Sequence, residues 1–224
     1  MKTSNKLLLT TLALLLGSLL TYNLALRAEY RKGSYKDKDL FRNYTTLAHQ
    51  DFSAVQVVGS GLSVKISSGP FAVRVNKGAT GRVSITQVGS RLVVTSRPAT
   101  DTDWSGNSAV LISCPRLTAL TTDGNTLDVS GFTLDSLAIE QNRTGEVALT
   151  DNRIGYLRAT AGRSAGSRST LKIDATNRIQ AARLSVQSQG ELELENVFIP
   201  QFSCQFSDSA AATVSGASLR MMRQ

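Results

Sequence analysis

From Leu117 onward the chain repeats itself, and this repetition constrains its fold more than any other feature of its 224 residues. Each unit opens on an apolar residue and runs through a short stretch where apolar and polar residues alternate. It then turns on Gly, Asn or Ser and alternates again. Units begin at Leu117, Leu134, Ile154, Ile179 and Ile199, at intervals of 17, 20, 25 and 20 residues. The Gly/Ser-rich stretch 161–168 accounts for the longest interval. One such unit has an apolar face and nothing to bury it against, whereas stacked units bury a continuous core. The repeat therefore predicts an all-β, parallel β-helix or solenoid with rungs about 4.8 Å apart. Leu, Ile and Val columns should point inward, and Ser, Thr, Arg and Glu outward. An antiparallel sandwich of hairpins is the competing arrangement. The tail carrying Leu219, Met221 and Met222 is expected to cover the last rung, whose open edge would otherwise invite pairing.

Upstream, the same period-two alternation runs from Phe52 through Val55/Val57, Leu62/Val64/Ile66, Phe71/Val73/Val75, Val83/Ile85, Leu92/Val94 and Val110/Ile112. Turn signals at Gly59-Ser60-Gly61, Ser68-Gly69-Pro70, Lys77-Gly78 and Gly89-Ser90 separate these runs. The pattern predicts a β-meander leading into the solenoid. Residues 97–107, with the chain's one Trp, read as a surface loop, and 27–50 as a polar, aromatic-dotted linker.

Several of these segments together point to a family. Phe52-Ser-Ala-Val-Gln-Val-Val-Gly, Gly69-Pro-Phe-Ala-Val-Arg-Val, Gly89-Ser-Arg-Leu-Val-Val and Leu111-Ile-Ser-Cys-Pro-Arg-Leu-Thr-Ala-Leu precede the repeat units. Residues 50–219 so arranged resemble the GIN-domain family of auto-transporter adhesin heads, bacterial envelope proteins frequent in Bacteroidetes. With an apolar N-terminus, the chain looks like a membrane-anchored subgroup. The resemblance implies a right-handed parallel β-helix and an adhesin-like role.

The N-terminus supplies the expected address. From Leu7 to Leu26 the sequence LLLTTLALLLGSLLTYNLAL holds no charge and is bounded by Lys6 and Arg27. As a helix it would be about 30 Å long, the thickness of a bilayer's hydrocarbon core. It exceeds the usual apolar stretch of a signal peptide and lacks an A-x-A-like cleavage site, so an uncleaved signal-anchor is expected. The domain plan is a short tail at 1–6, a transmembrane helix at 7–26, the linker at 27–50 and the solenoid at 51–224. Orientation brings two arguments into conflict. Six Lys/Arg just after the span would hold the body in the cytoplasm. The body's Ser/Thr-rich, lysine-poor β architecture reads as extracytoplasmic, and that placement is the one taken here.

The net charge of +8 belongs mainly to this N-terminal region: residues 1–44 carry +5 and the other 180 only +3. Such a body does not present the basic face nucleic-acid binding wants. One histidine, His49, rules out a multi-histidine metal site and leaves no candidate triad. Cys114 and Cys204 alternate with apolar neighbours, which predicts two free, buried thiols some four rungs, or about 19 Å, apart. No catalytic residue, cofactor or metal is assigned.

Two surface patterns remain. Asp151-Asn152-Arg153 and Thr176-Asn177-Arg178 lie 25 residues apart in equivalent turns, so stacking should align an Asn-Arg ladder, joined by Arg143, Arg158 and Arg183. Guanidinium forks in a row suit carboxylate, sulfate or phosphate groups on a partner. Stacking of a favourable turn sequence explains the same recurrence without a ligand. The second pattern is Glu191, Glu193 and Glu195 alternating on one strand, with Glu146 in the matching position of an earlier coil. Paired carboxylates about 5–9.5 Å apart would be needed for glycoside chemistry; an outward solvated row needs no such role. The chain is thus expected to be a non-catalytic envelope protein presenting its solenoid to another protein or a glycan. A β-helix enzyme acting on acidic polysaccharide and a structural subunit of a membrane complex are the alternatives.

Overall fold

The computed structural model describes residues 11–12, 14–15, 17–19, 21–24, 41–97 and 108–223. The loop expected to hold Trp104 and most of the expected linker lie outside them, as do residues 7–10, 13, 16, 20 and 25–26 of the apolar run. Residues 11–12, 14–15, 17–19 and 21–24 are helical. No helix among the described residues is long and apolar enough to cross a membrane, so the spanning helix expected over 7–26 draws no support from the fold.

The body, from Tyr44 onward, forms one unit by itself. Its first strands are β1 (Tyr44–Leu47), β2 (Ala54–Val58), β3 (Ser63–Ser68), β4 (Ala72–Asn76), β5 (Val83–Val88), β6 (Arg91–Ser96) and β7 (Val110–Cys114). The repeat region then supplies five strand pairs. These are β8 (Ala119–Thr122) with β9 (Thr126–Ser130), β10 (Thr133–Gln141) with β11 (Gly145–Thr150), and β12 (Arg153–Ala161) with β13 (Ser169–Asp174). The last two are β14 (Arg178–Val186) with β15 (Glu191–Glu195), and β16 (Gln201–Phe206) with β17 (Ala211–Ser215). One member of each pair enters an eight-stranded sheet ordered β16-β14-β12-β10-β8-β2-β6-β5. The other enters a nine-stranded sheet ordered β17-β15-β13-β11-β9-β3-β7-β4-β1. Every pairing within the repeat is parallel, so the chain is a β-solenoid and not a sandwich of hairpins.

Register turns the sequence repeat into columns. Leu120, Ile139, Ala159, Leu184 and Cys204 face one another through the eight-stranded sheet. Val129, Leu149, Ile173, Leu194 and Val214 do so through the nine-stranded one. All but Cys204 and Val214, in the last coil, are at most 2% exposed. Alternation breaks once per coil: both residues at 135–136, 155–156 and 180–181 avoid the core, and the register skips one position there. At Gly155 an added Cβ would sit 2.7 Å from the Asp135 carbonyl oxygen, so the close approach at this break requires glycine.

The entry region departs from the expected meander. β2 and β3 themselves make a coil, with parallel neighbours on both sides: β8 and β9 below, β6 and β7 above. Antiparallel pairing is confined to the far end, where β5 joins β6, β4 joins β7 and β1 joins β4. Period-two alternation places side chains on a face and carries no information about strand direction. β1 also occupies the stretch read as linker, where Tyr44, Thr45 and Thr46 supply the aromatic and β-branched residues that strands favour.

Each coil turns a corner before the next strand of the eight-stranded sheet begins, and asparagines hold two successive corners from inside. Asn152 Oδ1 accepts the Phe132 amide at 3.0 Å, and Asn177 Oδ1 accepts the Asn152 amide at 3.1 Å. Asn152 Nδ2 donates to the Val129 carbonyl at 2.9 Å and Asn177 Nδ2 to that of Leu149 at 2.6 Å. At a later corner Ser218 plays this part, its hydroxyl accepting the Val197 amide at 2.8 Å and donating to the Val197 carbonyl at 2.7 Å. The 3-10 helix Gly216–Arg223 that carries Ser218 therefore packs at a corner. Leu219 does not cover the last rung as expected, being 51% exposed while Phe202, Cys204 and Val214 stay only half-buried; the side chains of Met221 and Met222 lie outside those described.

Removing Asn177 strands a buried amide and a buried carbonyl, each costing about 1–3 kcal/mol when unpaired. Asn177→Ala should thus lower the unfolding free energy by roughly 3 kcal/mol, read from a denaturant titration at constant m-value. A loss below about 0.5 kcal/mol would show that the corner does not depend on the ladder.

Candidate functional site

The outer surface of the eight-stranded sheet collects four of the five arginines that the sequence singles out. On β12 and β14 the register pairs Arg153 with Arg178 and Arg158 with Arg183. The expected Asn-Arg ladder is therefore divided. Asn152 and Asn177 turn inward and are buried, whereas Arg153 and Arg178, one residue on, are exposed. Arg143 is set apart from them on the turn between β10 and β11. None of these five arginines forms an ion pair among the described residues, whereas Arg163 meets Glu140 at 3.4 Å.

Arg158 and Arg183 open onto a shallow groove of about 250 Å³ that Thr160, Ser185, Gln187 and Gln205 also line. Arg183 borders a second depression beside it, with Tyr156, Ala181, Gln201 and Ser203. Tyr156 is 42% exposed and stacks in register between Ser136 and Ala181. β12, β14 and β16 contain no acidic residue at all. The site thus offers two unpaired guanidinium groups, an aromatic face and a fringe of amides and hydroxyls. Such a set can accept carboxylates or sulfates on the arginines and hydroxyl groups on the Gln, Ser and Thr fringe.

Tyr156, Thr160, Ser185, Gln201 and Gln205 were not singled out in the sequence. Their signal was present as outward phase: each lies an even number of residues from an outward arginine or from an outward neighbour across the register. Composition gave them no prominence, because Ser, Thr and Gln recur at outward positions throughout the chain.

The opposite surface has the other sign. β9, β11, β13, β15 and β17 carry Asp128, Glu146, Asp174, Glu191, Glu193 and Glu195 against Lys172 as the one basic residue. Glu191, Glu193 and Glu195 flank inward Leu192 and Leu194, as their alternation predicts. Glu146 shares a column with Glu191, two coils apart, with Thr170 between them. Lys172 lies 3.3 Å from Glu193, whose hydrogen bond and charge, with the charges of Glu195 and Glu146, raise the lysine's pKa. Thr213 donates to Glu191 at 3.1 Å. Of these acids Glu193 is thus ion-paired and Glu191 hydrogen-bonded, on an open sheet. Among the described residues no group of three His, Cys, Asp or Glu side chains could hold a metal ion.

The two cysteines are free and lie in different sheets, Cys114 on β7 and Cys204 on β16. Because the β6–β7 coil stacks beyond β2–β3, six coil steps separate them instead of the four expected, roughly 29 Å at 4.8 Å per rung. Cys114 is buried, while Cys204, in the last coil, is half-buried. Burial pushes the Cys114 thiol up to about 12 and the Cys204 thiol up to about 11.

Solved structures were compared with this fold. A candidate adhesin from Bacteroides fragilis matches with a TM-score of 0.53 at 12% identity, over 77% of this chain and 96% of that one. A candidate lipid-binding protein from Parabacteroides distasonis matches with a TM-score of 0.30 at 12% identity, over 78% of this chain and 94% of that one. At this identity the first likeness shows a common fold. No family model and no curated protein matches the chain.

Raised thiol pKa values mean that burial favours the neutral form. That contribution to stability is complete below the ordinary value of 9.0 and is lost as pH climbs towards 11 and 12. At about pH 8, iodoacetamide should label Cys204 slowly and Cys114 only as fast as the protein unfolds. Rapid labelling of Cys114 in folded protein, followed by intact mass, would contradict its place in the core.

Proposed function

We propose that this chain is a membrane-tethered, non-catalytic envelope protein that binds an acidic polysaccharide on the arginine face of its eight-stranded sheet. The observation that carries the reading is the register pair Arg158 and Arg183, unpaired and open to a groove fringed by Gln205, Ser185 and Thr160. Paired guanidinium forks hold carboxylates or sulfates along a chain, and Tyr156 offers an apolar platform to a sugar ring. The acidic opposite surface repels the same ligand, which confines binding to one face. A fold shared with a candidate adhesin accords with a binding role and brings no ligand with it.

Tethering rests on the apolar run. Leu12, Leu14, Leu15, Leu19 and Leu24 each expose more than half of their surface, with Tyr22 at 67%. The polar side chains among them turn back to the helix: Ser18 donates to the Leu15 carbonyl at 2.9 Å, Thr21 to that of Gly17, and Asn23 to that of Leu19 at 3.1 Å. Apolar groups outward and polar groups satisfied internally are what a lipid environment demands. The segment 7–26 then anchors the chain, with the body on the extracytoplasmic side.

Binding of the full chain in mild detergent to polygalacturonate, against neutral dextran, tests the face. Arg158→Ala with Arg183→Ala should weaken polygalacturonate binding about tenfold or more, since each charge-assisted contact contributes about 1.5–3 kcal/mol. Added salt should weaken it further. Glu191→Gln with Glu193→Gln should not reduce it. Equal binding to dextran, or indifference to the arginine pair, would sink the reading. For the address, a protease added to spheroplasts should remove a C-terminal tag that intact cells protect. Protection until lysis would put the body in the cytoplasm.

A further inference from the structure

The two ends of the solenoid differ. At one end both sheets stop on the same coil, the eight-stranded sheet on β16 and the nine-stranded sheet on β17, so the end is flush. At the other, one strand (β5) continues past β6 while two (β4 and β1) continue past β7, so the end is stepped.

The flush end is open. Phe202, Cys204 and Val214 are only half-buried and Phe206 is 40% exposed. Their column neighbours one coil earlier, Ala182, Leu184, Leu194 and Val186, are at most 3% exposed. Edge strands are ordinarily blunted by charge, proline or a bulge. β16 reads QFSCQF and β17 AATVS, with none of these in either. Asp208 is the single charged residue in the whole stretch 197–219. This edge is therefore unprotected against pairing on both sheets at once.

We infer that the flush end is an interface for a second copy of this chain, joined tail to tail about a two-fold axis. A lone added strand could satisfy one sheet but would leave the other edge and the core between them open. Only another two-sheet edge that also ends flush matches both strands, and the same end of a second copy is such an edge. A head-to-tail contact fails, because the stepped end cannot meet a flush one across both sheets. The two-fold reverses strand direction, so the edges pair antiparallel, both sheets become continuous and the exposed core columns meet. The contact is isologous and closes at two copies. The groove of the glycan reading reaches this coil through Gln205 on β16, but its arginines lie on β12 and β14 and the strand varied below, β17, is in the other sheet, so the two readings fail separately.

Native mass spectrometry of the full chain released from detergent tests this. The expected species has twice the 24.0 kDa of one chain. Ala211→Lys with Thr213→Lys places charge on β17 beside Glu191 and Glu193, which preserves the fold, and opposes like charges across the two-fold. That pair should shift the dimer to monomer at least tenfold in dissociation constant. Hydrogen exchange supplies a readout that needs no variant: amides of β16 and β17 should slow with rising protein concentration while those of β12 and β13 do not change. A monomer at every concentration, a dimer indifferent to the lysines, or an open-ended ladder of oligomers would each overturn the interface.

Discussion

A chain that turns a closed corner carries backbone amides into the apolar interior, and each must find a partner or cost a large fraction of the protein's stability. Here the partner comes from the next coil. Asn152 receives the Phe132 amide, Asn177 receives that of Asn152, and each asparagine returns a bond to a carbonyl of the nine-stranded sheet. The ladder does more than fill hydrogen-bonding sites. Because every bond joins adjacent coils at one corner, it fixes which residue stacks on which, and a slip of one residue would turn the core columns outward. The inward columns, the outward arginines and the carboxylate row all inherit their alignment from that register.

Alignment is what gives the two surfaces different chemistry. Along the sequence, arginines and carboxylates of the repeat region are interspersed and nearly cancel. Stacked, the strands of one sheet gather Arg153, Arg158, Arg178 and Arg183, and those of the other gather Glu146, Glu191, Glu193 and Glu195. The arginines have no acid on their own or the following strand, whereas the glutamates share Lys172 and Thr213. One surface is therefore left with unused binding capacity and the other is partly neutralised.

The open end follows from the same logic. A solenoid buries each coil against two neighbours, so its last coil is always one neighbour short. The N-terminal end answers with antiparallel strands laid along both sheets. The C-terminal end answers, among the described residues, at a corner through Ser218, and leaves Phe202, Cys204 and Val214 half-buried.

Much of this was legible in the residues. The unit starts, the inward Leu/Ile/Val phase, the outward phase of Glu191–Glu195 and the free thiols all follow from alternation and spacing, because burial acts on each side chain locally. Asn152 and Asn177 were seen to recur beside Arg153 and Arg178, but recurrence alone did not say that the amides face in while the guanidiniums face out. The direction and stacking order of the early strands were not legible either. β2 and β3 present two equivalent edges, and whether β6–β7 or β8–β9 takes each is a competition between distant segments with the same local pattern. That competition also set the separation of Cys114 from Cys204 and the opposed charge of the two surfaces. The sequence by itself determined a stack of apolar rungs; the tertiary structure decided their order, because pairing energy depends on which edge is still free when the chain returns.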